Sequence, residues 1–109
     1  MYELSITNKK TRAQFSKLDM ATGEELPGAS LELKTVDGTV IDSWISGKTP
    51  HFVDGTLTAG EMYILTEISA PDGYEIAESI KFTVPIDGSF IKIEMTDRKK
   101  NTGRTGKTY

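Results

Sequence analysis

Three ionisable side chains, Lys17, Glu67 and Asp97, fall at positions of this sequence that a folded chain would otherwise fill with apolar residues. Each lies on the apolar side of a segment that alternates with period two, the spacing of a β-strand. In Ala13-Gln14-Phe15-Ser16-Lys17 the lysine shares its face with Ala13 and Phe15. In Tyr63-Ile64-Leu65-Thr66-Glu67 the glutamate follows Tyr63 and Leu65, although Ile64 and Ile68 make the opposite face apolar as well. In Ile91-Lys92-Ile93-Glu94-Met95-Thr96-Asp97 the aspartate continues the row of Ile91, Ile93 and Met95, while Lys92, Glu94 and Thr96 turn outward. A fold tolerates such charges only if they meet. An amine and two carboxyls held out of water can pair as ions, or they can condense. A lysine attacks a carboxyl carbon only as the neutral amine, and a carboxyl is a usable electrophile only when protonated. Burial favours both neutral forms, and a positioned pair reacts as though at very high concentration.

The elements that must carry these residues are strands. Period-two segments are expected near residues 12–18, 29–34, 39–45, 62–68, 79–84 and 90–97, with short pieces near Phe52 and at Met1 to Ile6. Asp37-Gly38 and Asp87-Gly88 separate strand-like runs and predict hairpin turns. Ala70-Pro71-Asp72-Gly73 joins a fixed φ to a residue able to take positive φ. No segment keeps a helical period over a useful length, and many short strands at near-regular spacing predict an all-β sandwich.

A chain of 109 residues with 37% apolar content has room for one domain and one modest core. No window has the apolar length to cross a membrane, and the opening residues lack the basic patch and apolar run of a signal peptide, so any export signal is expected outside this segment. Without cysteine there is neither a disulfide nor a thiolate metal site, and the lone His51 has no metal-binding companions, so no cofactor or metal is expected. The net charge of −3 is uneven: residues 98–109 hold five basic residues and no acid, leaving −8 on residues 1–97. An acidic body argues against a nucleic-acid partner. The tail Arg98 to Tyr109 has no apolar period and reads as a solvated linker.

Leu4-Ser5-Ile6-Thr7-Asn8-Lys9-Lys10 echoes the pattern of Ile93-Glu94-Met95-Thr96-Asp97-Arg98-Lys99, with a carboxamide in place of the carboxylate. The first ten residues therefore read as a linker or as the last strand of a preceding, similar domain. Phe15-Ser16-Lys17-Leu18-Asp19, Thr22 to Ala29, Trp44-Ile45-Ser46, Thr66-Glu67-Ile68-Ser69-Ala70-Pro71-Asp72-Gly73-Tyr74-Glu75 and Met95-Thr96-Asp97 follow in an order and spacing that resemble a collagen-adhesin B-type (Cna B-type) domain. The likeness extends to the fibronectin-binding-protein members of that family, whose last strand likewise offers an aspartate.

The resemblance covers about residues 12–98 and implies an immunoglobulin-like or prealbumin-like β-sandwich of about seven strands. The partition that follows is a sandwich over residues 11–98 and a flexible basic tail over 99–109. The resemblance further implies a stalk domain of a Gram-positive, cell-wall-anchored adhesin or pilin, monomeric and joined to neighbouring domains, with host extracellular matrix reached through other domains. It matches Lys17 to the amine donor of an intramolecular isopeptide bond, Asp97 to the acceptor and Glu67 to the catalytic acid, a single-turnover step rather than an enzyme's. Asn8 is a competing acceptor. Closing an 80-residue loop is expected to stabilise the fold by roughly 4–5 kcal/mol. Two alternatives stand beside this. Lys17 could snorkel into solvent with Glu67 and Asp97 left as an ordinary salt-bridge cluster. The sandwich could instead bind a host protein or glycan through loops such as Gly47-Lys48-Thr49-Pro50-His51. Trp44 and Tyr74 are expected in or beside the core.

Overall fold

The computed structural model of the chain describes residues 10–100. Seven strands form among them: β1 (Lys10–Asp19), β2 (Ser30–Thr35), β3 (Val40–Ile45), β4 (His51–Thr58), β5 (Met62–Ser69), β6 (Ile80–Thr83) and β7 (Ile91–Asp97). They make two sheets, a three-stranded one in the order β4-β1-β7 and a four-stranded one in the order β3-β2-β5-β6. No helix occurs among the described residues. The expected all-β sandwich is what forms.

The core lies between the sheets and is built from the inward rows of the alternating strands: Ala13 and Phe15 from β1, Leu31 and Leu33 from β2, Val53 and Leu57 from β4, Tyr63 and Leu65 from β5, and Met95 from β7. Phe15 packs against Trp44 and Phe82 with ring centroids 5.6 and 5.8 Å apart. These tilted contacts suit the electrostatics of aromatic rings. Trp44 is only partly buried and packs at the margin of the core, stacked at 4.0 Å on His51.

Among the described residues β1 and β7 are the first and last strands, yet they are neighbours and run parallel, with Lys17 opposite Met95 and Asp19 opposite Asp97. Every other strand pairing is antiparallel. The parallel register puts Asp97 on the same inward face as Lys17, one pleat repeat further along.

Three local expectations change. The short piece near Phe52 is an eight-residue strand, β4. Asp54-Gly55 masked it, because residues 55 and 56 bulge out of register between the Arg12–Asp54 and Thr11–Leu57 pairs, with Gly55 at φ +81. Asp37-Gly38 does turn a hairpin between β2 and β3, closed by Thr35 N–H to Thr39 O at 2.9 Å. Asp87-Gly88 does not. β6 belongs to the four-stranded sheet and β7 to the other, so this turn carries the chain across the sandwich. Its backbone, closed by Gly88 N–H to Pro85 O at 3.0 Å, has hairpin-like chemistry without joining paired strands. The echo at Leu4 to Lys9, the strand piece at Met1 to Ile6, Asn8 and the tail beyond Lys100 lie outside the described residues.

Candidate functional site

Lys17 sits near the end of β1, Asp97 ends β7, and Glu67 comes from β5 in the opposite sheet, where it faces Leu31 of β2. All three point into the sandwich as their parity predicts, and their side chains have no solvent exposure. Lys17 Nζ donates to Asp97 Oδ1 and lies 3.2 Å from Glu67 Oε1. The lysine therefore does not snorkel. An amine and two carboxyls are closed off together from solvent.

The backbone around them is pinned. Asp97 O accepts from Met20 N–H at 2.9 Å and Lys17 O from Leu26 N–H at 2.7 Å, so the main chain at both strand ends is held by the β1–β2 connection. Glu67 Oε1 accepts the backbone N–H of Ala77 at 2.7 Å. Two buried oxygens among the described residues find no hydrogen-bond partner, Glu67 Oε2 and Asp97 Oδ2. They belong to the two carboxyls of this cluster, and two carboxyls in contact need a proton between them.

Burial pushes the Glu67 carboxyl up to about 7, helped by hydrogen bonding with Asp97 and opposed by the Ala77 N–H and by Lys17. Near neutral pH the site therefore holds Glu67 close to its midpoint. One proton on the carboxyl pair beside a lysine ammonium leaves the cluster electrically neutral, which is the cheapest charge state for a closed apolar pocket.

At the same end of the sandwich lies a second set of contacts that parity alone half reveals. Asp19 continues the inward row of β1 and is 8% exposed. Its Oδ2 accepts from Tyr74 Oη, and its Oδ1 from Ala21 N–H at 2.7 Å and Thr22 N–H at 3.3 Å. The tyrosine hydroxyl and then the Ala21 N–H hold Asp19 below the ordinary carboxylate range. Tyr74, expected in or beside the core, is thus half-buried at the edge of the site. The inward parity of Asp19 was the available signal that it needed a donor. The Ala77 N–H has no side-chain signal and could not be read from sequence. No group of His, Cys, Asp or Glu among the described residues is arranged to hold a metal ion.

A family model described as SpaA, prealbumin-like fold domain, matches residues 11–99. Among solved structures, the Bacillus anthracis TIE protein is similar at 26% identity and a TM-score of 0.67, over 82% of this chain and 17% of that one. The group B streptococcus pilus 2b backbone protein is similar at 17% identity and a TM-score of 0.70, over 88% and 43% of the two chains. The shaft pilin SpaA of Lactobacillus rhamnosus GG follows at 17% identity and a TM-score of 0.65, over 84% and 48%. The chain thus spans less than half the length of each of these three structures. No curated protein matches it.

Proposed function

Because this chain belongs to the family of SpaA prealbumin-like fold domains, we propose that it is a structural spacer of a Gram-positive surface adhesin or pilin, locked by a Lys17–Asp97 isopeptide bond that Glu67 promotes. The observation that carries this reading is the complete burial of Lys17 with both carboxyls in one closed cluster. A salt bridge alone gives a weak reason to bury these three groups, since removing ions from water costs about as much as their pairing returns. The names of the similar pilus proteins support the surface role. The Cna B-type label, the likeness to fibronectin-binding-protein domains, the boundaries at residues 11 and 98 and the cell-wall location belong to the same proposal.

The chemistry follows from the proton inventory. Moving one proton from the lysine ammonium to the carboxyl pair converts an ammonium, a carboxylate and a carboxylic acid into an amine and two carboxylic acids, with no change in net charge. The reactive form is therefore a tautomer of the neutral cluster and needs no proton from solvent. Lys17 Nζ adds to the Asp97 side-chain carbonyl carbon, Glu67 takes a proton from nitrogen and delivers one to the departing oxygen, and the C–O bond breaks to release water. The product is a neutral amide. Glu67 ends as it began, and the step happens once per molecule.

The intact mass of the denatured chain tests this. The wild-type chain is expected one water lighter than its sequence, with the full mass restored in Lys17→Ala and in Asp97→Ala. A full-mass wild type sinks the cross-link and leaves a sandwich whose role must be sought in its loops. Loss of ammonia in place of water points to Asn8 as acceptor.

A further inference from the structure

Several contacts tie the connection between β5 and β6 to β1, to β5 and to the chain that follows β7, among them an exposed ion pair of Arg98 Nη2 with Glu75 Oε1 at 3.1 Å. Tyr74 Oη donates to Asp19 Oδ2 at the end of β1. Glu75 N–H donates to Arg98 O at 2.9 Å and Lys100 N–H to Gly73 O at 2.8 Å, gripping the chain just after Asp97. Ala77 N–H donates to Glu67 Oε1 at 2.7 Å, on β5. Residues 71–77 therefore form a strap that ties the end of β1, Glu67 on β5 and the chain just after Asp97 together. Of these contacts Tyr74 Oη to Asp19 and Ala77 N–H to Glu67 use a buried carboxylate at this end of the sandwich, and of those two only the first is made by a side chain that can be altered without touching the backbone.

We propose that Tyr74 is a positioning residue for the condensation: its hydroxyl, anchored on Asp19, holds the strap so that the Ala77 N–H keeps Glu67 aimed at Lys17 and Asp97. The proposal rests on the cross-linking reading above. Its physical basis is that an amide-forming encounter in a closed pocket is sensitive to small errors of approach. The Tyr74–Asp19 bond is charge-assisted, since Asp19 is held ionised by this hydroxyl and by the Ala21 and Thr22 amides. The groups facing Glu67 are Lys17 from β1, Asp97 from β7 and the Ala77 N–H from the strap. Of these the Ala77 N–H and Lys17 favour the ionised carboxylate, and the first is the strap's, so a loosened strap leaves Glu67 protonated to higher pH.

The test uses the full chain, synthesised and kept unreacted in denaturant, then diluted into buffer at several pH values. Loss of one water is followed by mass, and folding by Trp44 fluorescence in the same samples. Tyr74→Phe keeps the ring and removes only the hydroxyl. It is expected to fold with the wild-type signal, to cross-link roughly tenfold more slowly per folded molecule, and to shift the pH dependence of cross-linking upward. Asp19→Ala should slow the reaction similarly, and the double variant should be no slower than the slower single one, because the two groups act through one bond. Wild-type rate and pH dependence in folded Tyr74→Phe overturn the proposal, as does a slower reaction with an unmoved pH profile, which marks a merely structural role. A wild-type chain that loses no water overturns it together with the cross-link itself, whereas the other outcomes leave the cross-link standing.

Discussion

At the scale of the residue, Glu67 carries the pH dependence. Its folded value, about 7, stands above the ordinary 4.5 because burial and the Asp97 carboxyl both favour the protonated form. In the unreacted chain its contribution to stability is therefore fully present below pH 4.5 and is lost as pH rises through about 7. The same proton is needed for the neutral cluster that can isomerise to amine and acid. The cross-linking rate of freshly refolded chain is thus expected to fall about tenfold per pH unit above 7. Glu67→Gln keeps an acceptor for the Ala77 N–H but cannot carry the proton, and should react on the order of a hundredfold or more slowly, with that limb of the profile gone. Mass against time at pH 6 and pH 9 checks both. A rate that climbs with pH, as simple deprotonation of an exposed lysine gives, contradicts the mechanism.

At the scale of the element, the strap between β5 and β6 depends on the turn that launches it. Tyr74 N–H closes onto Pro71 O at 3.0 Å, with Gly73 between them at φ +88. A Cβ at Gly73 would meet nothing within 4 Å, so any cost of adding one comes from the backbone alone. Gly73→Ala is therefore expected to lower the unfolding free energy of an Asp97→Ala chain by about 1–2 kcal/mol. Gly47 offers the contrast, with equally open space and no positive φ. Gly47→Ala should leave stability unchanged or raise it by a few tenths of a kcal/mol up to about 1. Denaturant titration of both variants decides the matter, and equal losses would refute the assignment of strain to the turn. Sequence chemistry identified this turn, because Pro71 and Gly73 carry their conformational preferences with them. The same reasoning misassigned Asp87-Gly88, because a hairpin and a crossing between sheets use the same turn residues and differ only in where the next strand docks.

At the scale of the whole molecule, the parallel pairing of β1 and β7 sets the response to load. Pulling β1 from its first residue and β7 from its last drives the two strands in opposite directions along their axes, so their hydrogen bonds are loaded in shear. Lys17 and Asp97 are 80 residues apart in sequence. An amide between them removes the intervening strands from the force path and leaves only the first part of β1 between one anchor and the bond. Single-molecule extension of the chain between marker domains is expected to lack the step of roughly 260–290 Å that 80 freed residues would give. Asp97→Ala should restore it. A full-length step in the wild type would show that the strands, and not a covalent bond, carry the load.

Period-two alternation by itself determined that Lys17 and Asp97 face inward, because a strand offers each side chain only two directions and the rows these two continue are apolar; at Glu67 both faces of the strand carry apolar residues, and the tertiary structure decided between them. It likewise determined the all-β class. It could not say which inward residues meet, since alternation carries no information on strand order. Only the tertiary structure brought β7 beside β1 in parallel register and set β5 across from them, and a pairing between the first and last strands is decided by the closure of the whole core. For the same reason it alone revealed the Ala77 N–H on Glu67 and the Tyr74 hydroxyl on Asp19. Backbone donors are identical at every residue, and their partners exist only once the chain has folded.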